Sequence, residues 1–136
     1  MTDNPTPPIP AGAMMLELVM LPVSDIDRSI EFYRDRAGFA VDVDVRPADG
    51  VRIVQLTPPG SYCSVTMTTG MTDPAMAPGS LRGLHLVVPD IEVARDAMVA
   101  RGVDVAPVQD MGGVLYAWFA DPDGNTWTLQ YMPWRS

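Results

Sequence analysis

The sequence predicts an α+β fold built from two tandem βαβββ modules, and three features of its 136 residues predict it. The first is a repeat. Leu18-Val19-Met20-Leu21-Pro22-Val23-Ser24-Asp25-Ile26-Asp27 returns as Gly83-Leu84-His85-Leu86-Val87-Val88-Pro89-Asp90-Ile91-Glu92, with Asp90 lying 65 residues after Asp25. Both copies read as an apolar strand running into an Asp N-cap and a helix. The second feature is the tail of each copy, where the offset becomes 64 and Gly60, Cys63, Ser64, Val65 and Thr66 match Gly124, Trp127, Thr128, Leu129 and Gln130. The third is turn chemistry that divides the residues after each helix into three strands. A lone module of about 60 residues buries too little surface to be comfortable alone, so the two are expected to share one domain.

Taken in order, residues 1–13 hold Pro5, Pro7, Pro8 and Pro10 and read as an extended arm ahead of a single domain over 14–136. The first module covers 15–70. In the strand over Leu16–Val23 both faces are largely apolar, which calls for cover on both sides. Asp25 caps a helix whose stripe is Ile26, Ile30, Tyr33 and Ala37, and Gly38 ends it. Strands near 39–46, 51–57 and 62–69 follow, separated by Ala48-Asp49-Gly50 and Pro58-Pro59-Gly60. Residues 71–82 are a connector. The second module, 83–132, repeats the cycle: a strand over 83–89, a helix over 91–101 closed by Gly102, and strands near 103–109, 114–121 and 125–132. Asp121-Pro122-Asp123-Gly124-Asn125 is a tight hairpin turn.

Composition narrows the function. Seventeen acidic residues against nine basic ones leave a formal charge of −8, which repels nucleic acid and anionic membranes and argues against either as a partner. No apolar run approaches the roughly 18 residues of a membrane span. One cysteine, Cys63, cannot form an internal disulfide and suits a reducing cytoplasm; its place on the helix-facing side makes it a structural thiol. The stretch Met1-Thr2-Asp3-Asn4 lacks the pattern of a secretory signal.

Three segments, Val23-Ser24-Asp25-Ile26-Asp27-Arg28-Ser29-Ile30-Glu31-Phe32-Tyr33, Val88-Pro89-Asp90-Ile91 and Trp118-Phe119-Ala120-Asp121-Pro122-Asp123-Gly124-Asn125, resemble the vicinal oxygen chelate superfamily of glyoxalase I, extradiol dioxygenases and the fosfomycin- and bleomycin-resistance proteins. The resemblance covers residues 15–132. It implies a glyoxalase-like fold in which the modules form a curved eight-stranded cleft with helices outside. Leu18, Met20, Ser64, Thr66, Gly83, His85, Thr128 and Gln130 would then face the cleft, and Val19, Leu21, Val23, Leu84, Leu86, Val88, Trp127 and Leu129 the helices.

The superfamily's enzymes hold a divalent ion with ligands from the first and last strands of each module. The matching positions are Leu18, Ser64, Gly83 and Thr128. None carries an imidazole or a carboxylate, and neutral hydroxyls are weak ligands. No metal and no other cofactor are therefore expected. His85, the only histidine, is the candidate for chemistry, because an imidazole can donate, accept or move a proton near neutral pH; it can equally be a cleft residue satisfied by Gln130 or Thr66. Met20, Arg52, Thr66, Tyr116, Trp118, Thr128 and Gln130 are the candidate ligand contacts. Arg52, Tyr116 and Trp118 enter because Val54 and Trp118 fall in matching places on the third strands, and aromatic walls suit flat ligands.

The resemblance therefore implies a metal-independent small-molecule-binding protein, similar to drug-sequestering proteins of the bleomycin-resistance type and homodimeric like them. Two alternatives stand beside it. One is a cofactor-free isomerase, lyase or cyclase using His85 as acid or base. The other is a metalloenzyme whose site has moved to His85 and Gln130.

Overall fold

The computed structural model describes residues 8–71 and 76–135; the first seven residues of the expected arm, residues 72–75 of the connector and residue 136 lie outside the described residues. In the first module, β1 (Leu18–Met20) leads to α1 (Ile26–Ile30), which runs on as a π-helical turn over Glu31–Arg36, and then to β2 (Ala40–Ala48), β3 (Val51–Thr57) and β4 (Ser64–Thr69). The second module repeats the order with β5 (Leu84–Val87), α2 (Ile91–Ala100), β6 (Gln109–Met111), β7 (Val114–Ala120) and β8 (Thr126–Tyr131), and a 3-10 turn covers Pro133–Arg135.

The helix starts are the two N-caps expected. Asp25 and Asp90 have φ of −144° and −146° and accept the amide N–H of Arg28 and Val93, each at 3.1 Å, satisfying donors that a helix start leaves open. The body of α1 departs from a single α-helical stripe. The Ala37 N–H bonds the Phe32 carbonyl five residues back, at 2.9 Å, and the Phe39 N–H reaches the Tyr33 carbonyl at 2.8 Å. This wider winding turns two consecutive aromatic residues, Phe32 and Tyr33, inward together.

The strand expected near 103–109 begins only at Gln109. Val103 and Val105 are buried as an inward-alternating pair, but the carbonyls of Val105 and Ala106 are taken by the Arg95 guanidinium, at 2.9 and 2.8 Å. Pro107 has no N–H to give. The segment packs like a strand without forming a ladder.

The eight strands form two four-stranded sheets, ordered β1-β4-β3-β2 and β5-β8-β7-β6. In each, the first strand pairs parallel with the last and the other pairs are antiparallel. The α+β class and the doubled βαβββ order are those expected. Among the described residues of one chain, however, no ladder joins the two sheets into a single eight-stranded surface.

One core serves both modules. It takes Leu21, Val54, Leu56, Val65 and Met67 from the first sheet, Ala117, Phe119, Trp127 and Leu129 from the second, and Ile26, Ile30, Phe32, Tyr33, Ile91 and Met98 from the helices. The aromatic side chains of the π turn cross the boundary: Phe32 lies 6.3 Å from Phe119 and Tyr33 lies 5.7 Å from Trp127, between ring centroids. Each sheet thus has one face on the shared core and turns the other away from it.

A polar knot fastens the modules beside this core. Asp121 is buried. Its Oδ1 accepts the amide N–H groups of Asp123, Gly124 and Asn125, each at 2.9 Å. Its Oδ2 accepts the Tyr33 hydroxyl and the Asn125 side-chain amide, both at 2.7 Å. Asn125, fully buried, also donates to the Pro22 carbonyl at 2.9 Å and accepts the Leu81 N–H at 3.0 Å. The Trp127 indole donates to the Tyr33 oxygen at 2.9 Å. Burial first, then the charge of Asp121, pushes the Tyr33 phenol far above its usual range. At the rim, burial alone would raise the Asp123 carboxyl. The Ser24 hydroxyl and amide, at 2.5 and 3.2 Å, and the Arg28 guanidinium, at 3.1 Å, outweigh that and hold it below the usual carboxylate range.

Candidate functional site

The outward sheet faces carry the candidate residues, and strand pairing decides which of them meet. On the second sheet, Thr128 of β8 lies between His85 of β5 and Trp118 of β7, and Gln130 lies between Val87 and Tyr116. Trp127 and Leu129, the alternate residues of β8, are in the core, so His85, Tyr116, Trp118, Thr128 and Gln130 share the outer face.

Their contacts form one constellation. The Tyr116 and Trp118 rings stack with centroids 6.4 Å apart and planes 17° apart. His85 meets Tyr116 edge to face at 6.2 Å, and its Nδ1 lies 2.6 Å from the Gln130 Oε1. Trp118 keeps 40% of its surface exposed and His85 is exposed, whereas Thr128, on the central strand, is buried beneath longer neighbours. The result is an open aromatic ledge with an imidazole at its edge.

The first sheet's outer face is different. Met20 pairs with Thr66, and Thr66 with Gln55. Hydroxyls dominate: the Thr57 hydroxyl bonds the Asp42 carboxylate and lies 2.7 Å from the Ser64 hydroxyl. The Gln55 amide donates to Glu17 at 3.3 Å. The Thr66 hydroxyl is buried and has no hydrogen-bond partner among the described residues, while Met20 is exposed.

The two modules match in a register different from the one expected from their glycines. Met20 pairs with Thr66 as its counterpart His85 pairs with Thr128. Thr66, not Ser64, is therefore the structural counterpart of Thr128, and Thr68, not Thr66, that of Gln130. The cause is the hairpin before the last strand, which spans residues 58–63 in one module and 121–125 in the other. Gly60 stands farther from its strand than Gly124 does, so aligning the glycines slides the strands by two residues. On the third strands the slip is one residue: Gln55 pairs with Thr66 as Trp118 pairs with Thr128, so Gln55, not Val54, is the counterpart of Trp118. Val54 is a fully buried core residue and Trp118 lies on the outer face.

Arg52 shares the Val54 side of β3 and so faces α1. Its guanidinium bonds Asp44 at 3.0 and 2.8 Å and Asp27 at 2.8 Å, and these two carboxylates raise its pKa further above an already high value. It braces the helix against the sheet and is not brought to the residues around His85. Cys63 is half-buried, and burial pushes its thiol up, which fits a structural role.

The metal positions remain poor in donors. Leu18 and Gly83 offer no side-chain ligand, Ser64 and Thr128 offer only hydroxyls on buried residues, and Thr66, the structural counterpart of Thr128, adds no more than another hydroxyl. Among the described residues, no three His, Cys, Asp or Glu side chains come together as a metal site would require. The donor set does not fit the divalent ion of the resembled enzymes. Nor, among the described residues, is any helix long and apolar enough to cross a membrane.

Comparison with known proteins agrees with this fold. The family model described as Glyoxalase/Bleomycin resistance protein/Dioxygenase superfamily matches residues 16–129. TnmS3, an antibiotic binding protein from Streptomyces sp. CB03234, has a crystal structure that is 32% identical, with a TM-score of 0.77, over 88% of this chain and 97% of that one. A glyoxalase/bleomycin resistance protein from the same strain is 33% identical with a TM-score of 0.72, over 85% and 98%. A superfamily member from Sphaerobacter thermophilus DSM 20745 is 29% identical with a TM-score of 0.76, over 88% and 98%. No curated protein sequence matches.

Proposed function

From a chain that belongs to the Glyoxalase/Bleomycin resistance protein/Dioxygenase superfamily, we propose a metal-independent small-molecule-binding protein that holds a flat ligand on the outer face of its second sheet. The observation that carries this reading is the stack of exposed Trp118 on half-buried Tyr116 with His85 at its edge, beside metal positions that lack imidazole and carboxylate donors. An aromatic pair left open to water is a costly arrangement unless something covers it. That TnmS3 is an antibiotic binding protein supports a small-molecule ligand.

Calorimetric titration with two flat probes, 2-naphthol and proflavine, tests the reading. Saturable binding is expected, insensitive to EDTA, with the probes recovered unchanged. Binding that EDTA abolishes would return the chain to the metal-dependent members. Chemical conversion of a probe would favour the cofactor-free enzyme, for which His85, braced by Gln130, is the one placed acid or base.

The working form in this proposal is a cytoplasmic homodimer. Met20 on one outer face, Val87, Met111 and Trp118 on the other, and Met14 and Leu16 just ahead of β1 are all exposed in the single chain. A second copy set beside these faces would cover much of that apolar surface and give the ledge an opposing wall. Sedimentation equilibrium is expected to report twice the chain mass of 14.8 kDa, and a monomer at micromolar concentration would remove this part of the proposal.

A further inference from the structure

We infer that the ledge selects ligands carrying a hydrogen-bond donor at their edge, because Gln130 fixes His85 in the tautomer that leaves its outward nitrogen a bare acceptor. The inference rests on the small-molecule-binding reading and narrows it to a ligand class: flat ring systems bearing a hydroxyl or N–H, as in phenols, aryl amines and amides.

A neutral imidazole carries one N–H and one lone pair, and the hydrogen bond made by one nitrogen decides which is which. The His85 Nδ1 faces the Gln130 Oε1 at 2.6 Å. An amide oxygen can only accept, so Nδ1 must hold the proton, and Nε2 is left with its lone pair. Gln130 is itself placed by the ladder, flanked by Val87 and Tyr116. The edge-to-face contact with Tyr116 fixes the other side of the ring.

A second chain of bonds on the first sheet has the same polarity. The Thr57 hydroxyl gives its one proton to Asp42, so its oxygen must accept the proton of Ser64, 2.7 Å away. Ser64 is thereby left with lone pairs and no free proton. On each outer face one chain of bonds thus ends in an acceptor, Nε2 of His85 on the second sheet and Ser64 on the first. The −8 charge of the chain also disfavours an anionic, acceptor-rich ligand.

The tautomer can be read in the free protein, because His85 is the only histidine of the chain. Long-range proton–nitrogen correlation spectra of uniformly labelled protein, recorded with the ring neutral, are expected to show Nδ1 protonated and Nε2 bare. In Gln130→Leu, which removes the acceptor, the ring is expected to populate both tautomers. A wild-type ring protonated at Nε2 overturns the inference while leaving the binding reading untouched.

Two probes with one ring system then test selection without a change of charge. The donor 2-naphthol is expected to bind about tenfold more tightly than 2-methoxynaphthalene, which can only accept, and His85→Phe should erase the difference while still binding both. Equal affinity in the wild type overturns the inference. Failure of both probes to bind, with the Nδ1–H tautomer in place, overturns instead the binding reading on which it stands.

Discussion

Asp121→Ala is expected to lower stability by about 4 kcal/mol, a drop in melting temperature of about 12 °C for a chain of this size. The carboxylate accepts five hydrogen bonds, three from main-chain amides and two from the side chains of Tyr33 and Asn125. Truncation strands donors that have no water to turn to, since Asp121 and Asn125 are buried and Tyr33 has no exposed surface. It also unties the turn from the first module. If the alanine variant does not accumulate, Asp121→Asn keeps the size and one accepting oxygen and is expected to lose about half as much. Tyr33→Phe, which leaves both the Asp121 oxygen and the Trp127 indole short of a partner, should fall near it. Chemical denaturation measures all three. An alanine variant within about 0.5 kcal/mol of wild type would show the knot to be incidental.

Trp118→Ala is expected to weaken proflavine binding by about a hundredfold, the range of an aromatic anchor at the centre of a contact. Stability should change little, since much of the indole is already in water. The stack with Tyr116 matters here because it holds the ring's plane before a ligand arrives, so less freedom is lost on binding. Tyr116→Ala removes the support and the contact with His85 and is expected to cost a smaller factor. Calorimetry gives affinity and a thermal melt gives stability on the same samples. A full loss of affinity in a variant that also unfolds early would assign Trp118 to packing, and an unchanged affinity would move the ligand elsewhere.

Much of this is legible in the sequence. The doubled Asp-Ile-acid phrase predicted both N-caps, and Asp25 and Asp90 adopt nearly identical backbone angles. The alternation of β8 correctly separated Trp127 and Leu129 from Thr128 and Gln130. The proximity of His85 to Gln130 followed from the same alternation. Three things were hidden. The π turn depends on where Phe32 and Tyr33 find partners in the other module, information that no local window contains. The true register of β4 against β8 was masked by glycines that serve hairpins of different length. Arg52 was placed on the wrong face by a one-residue slip of β3 against β7, and the positions of Asp27 and Asp44 show where it belongs. The Asp121 turn was visible as a hairpin signal, but a turn residue that grips a distant tyrosine looks no different in sequence from one that merely turns.

The knot also breaks the equivalence of the two copies. The second module's hairpin supplies Asp121 and Asn125, which reach back to Tyr33 and Pro22. The first module's hairpin, Pro58-Pro59-Gly60, has neither a carboxylate nor an amide side chain with which to return the grip. The repeat is thus symmetric in its strands and directional in its fastening: the second module's hairpin supplies the grip, and the first module's helix and the residues just after its first strand supply what is gripped. Cutting the hairpin of the second module would therefore loosen both modules, whereas cutting that of the first would leave the knot intact.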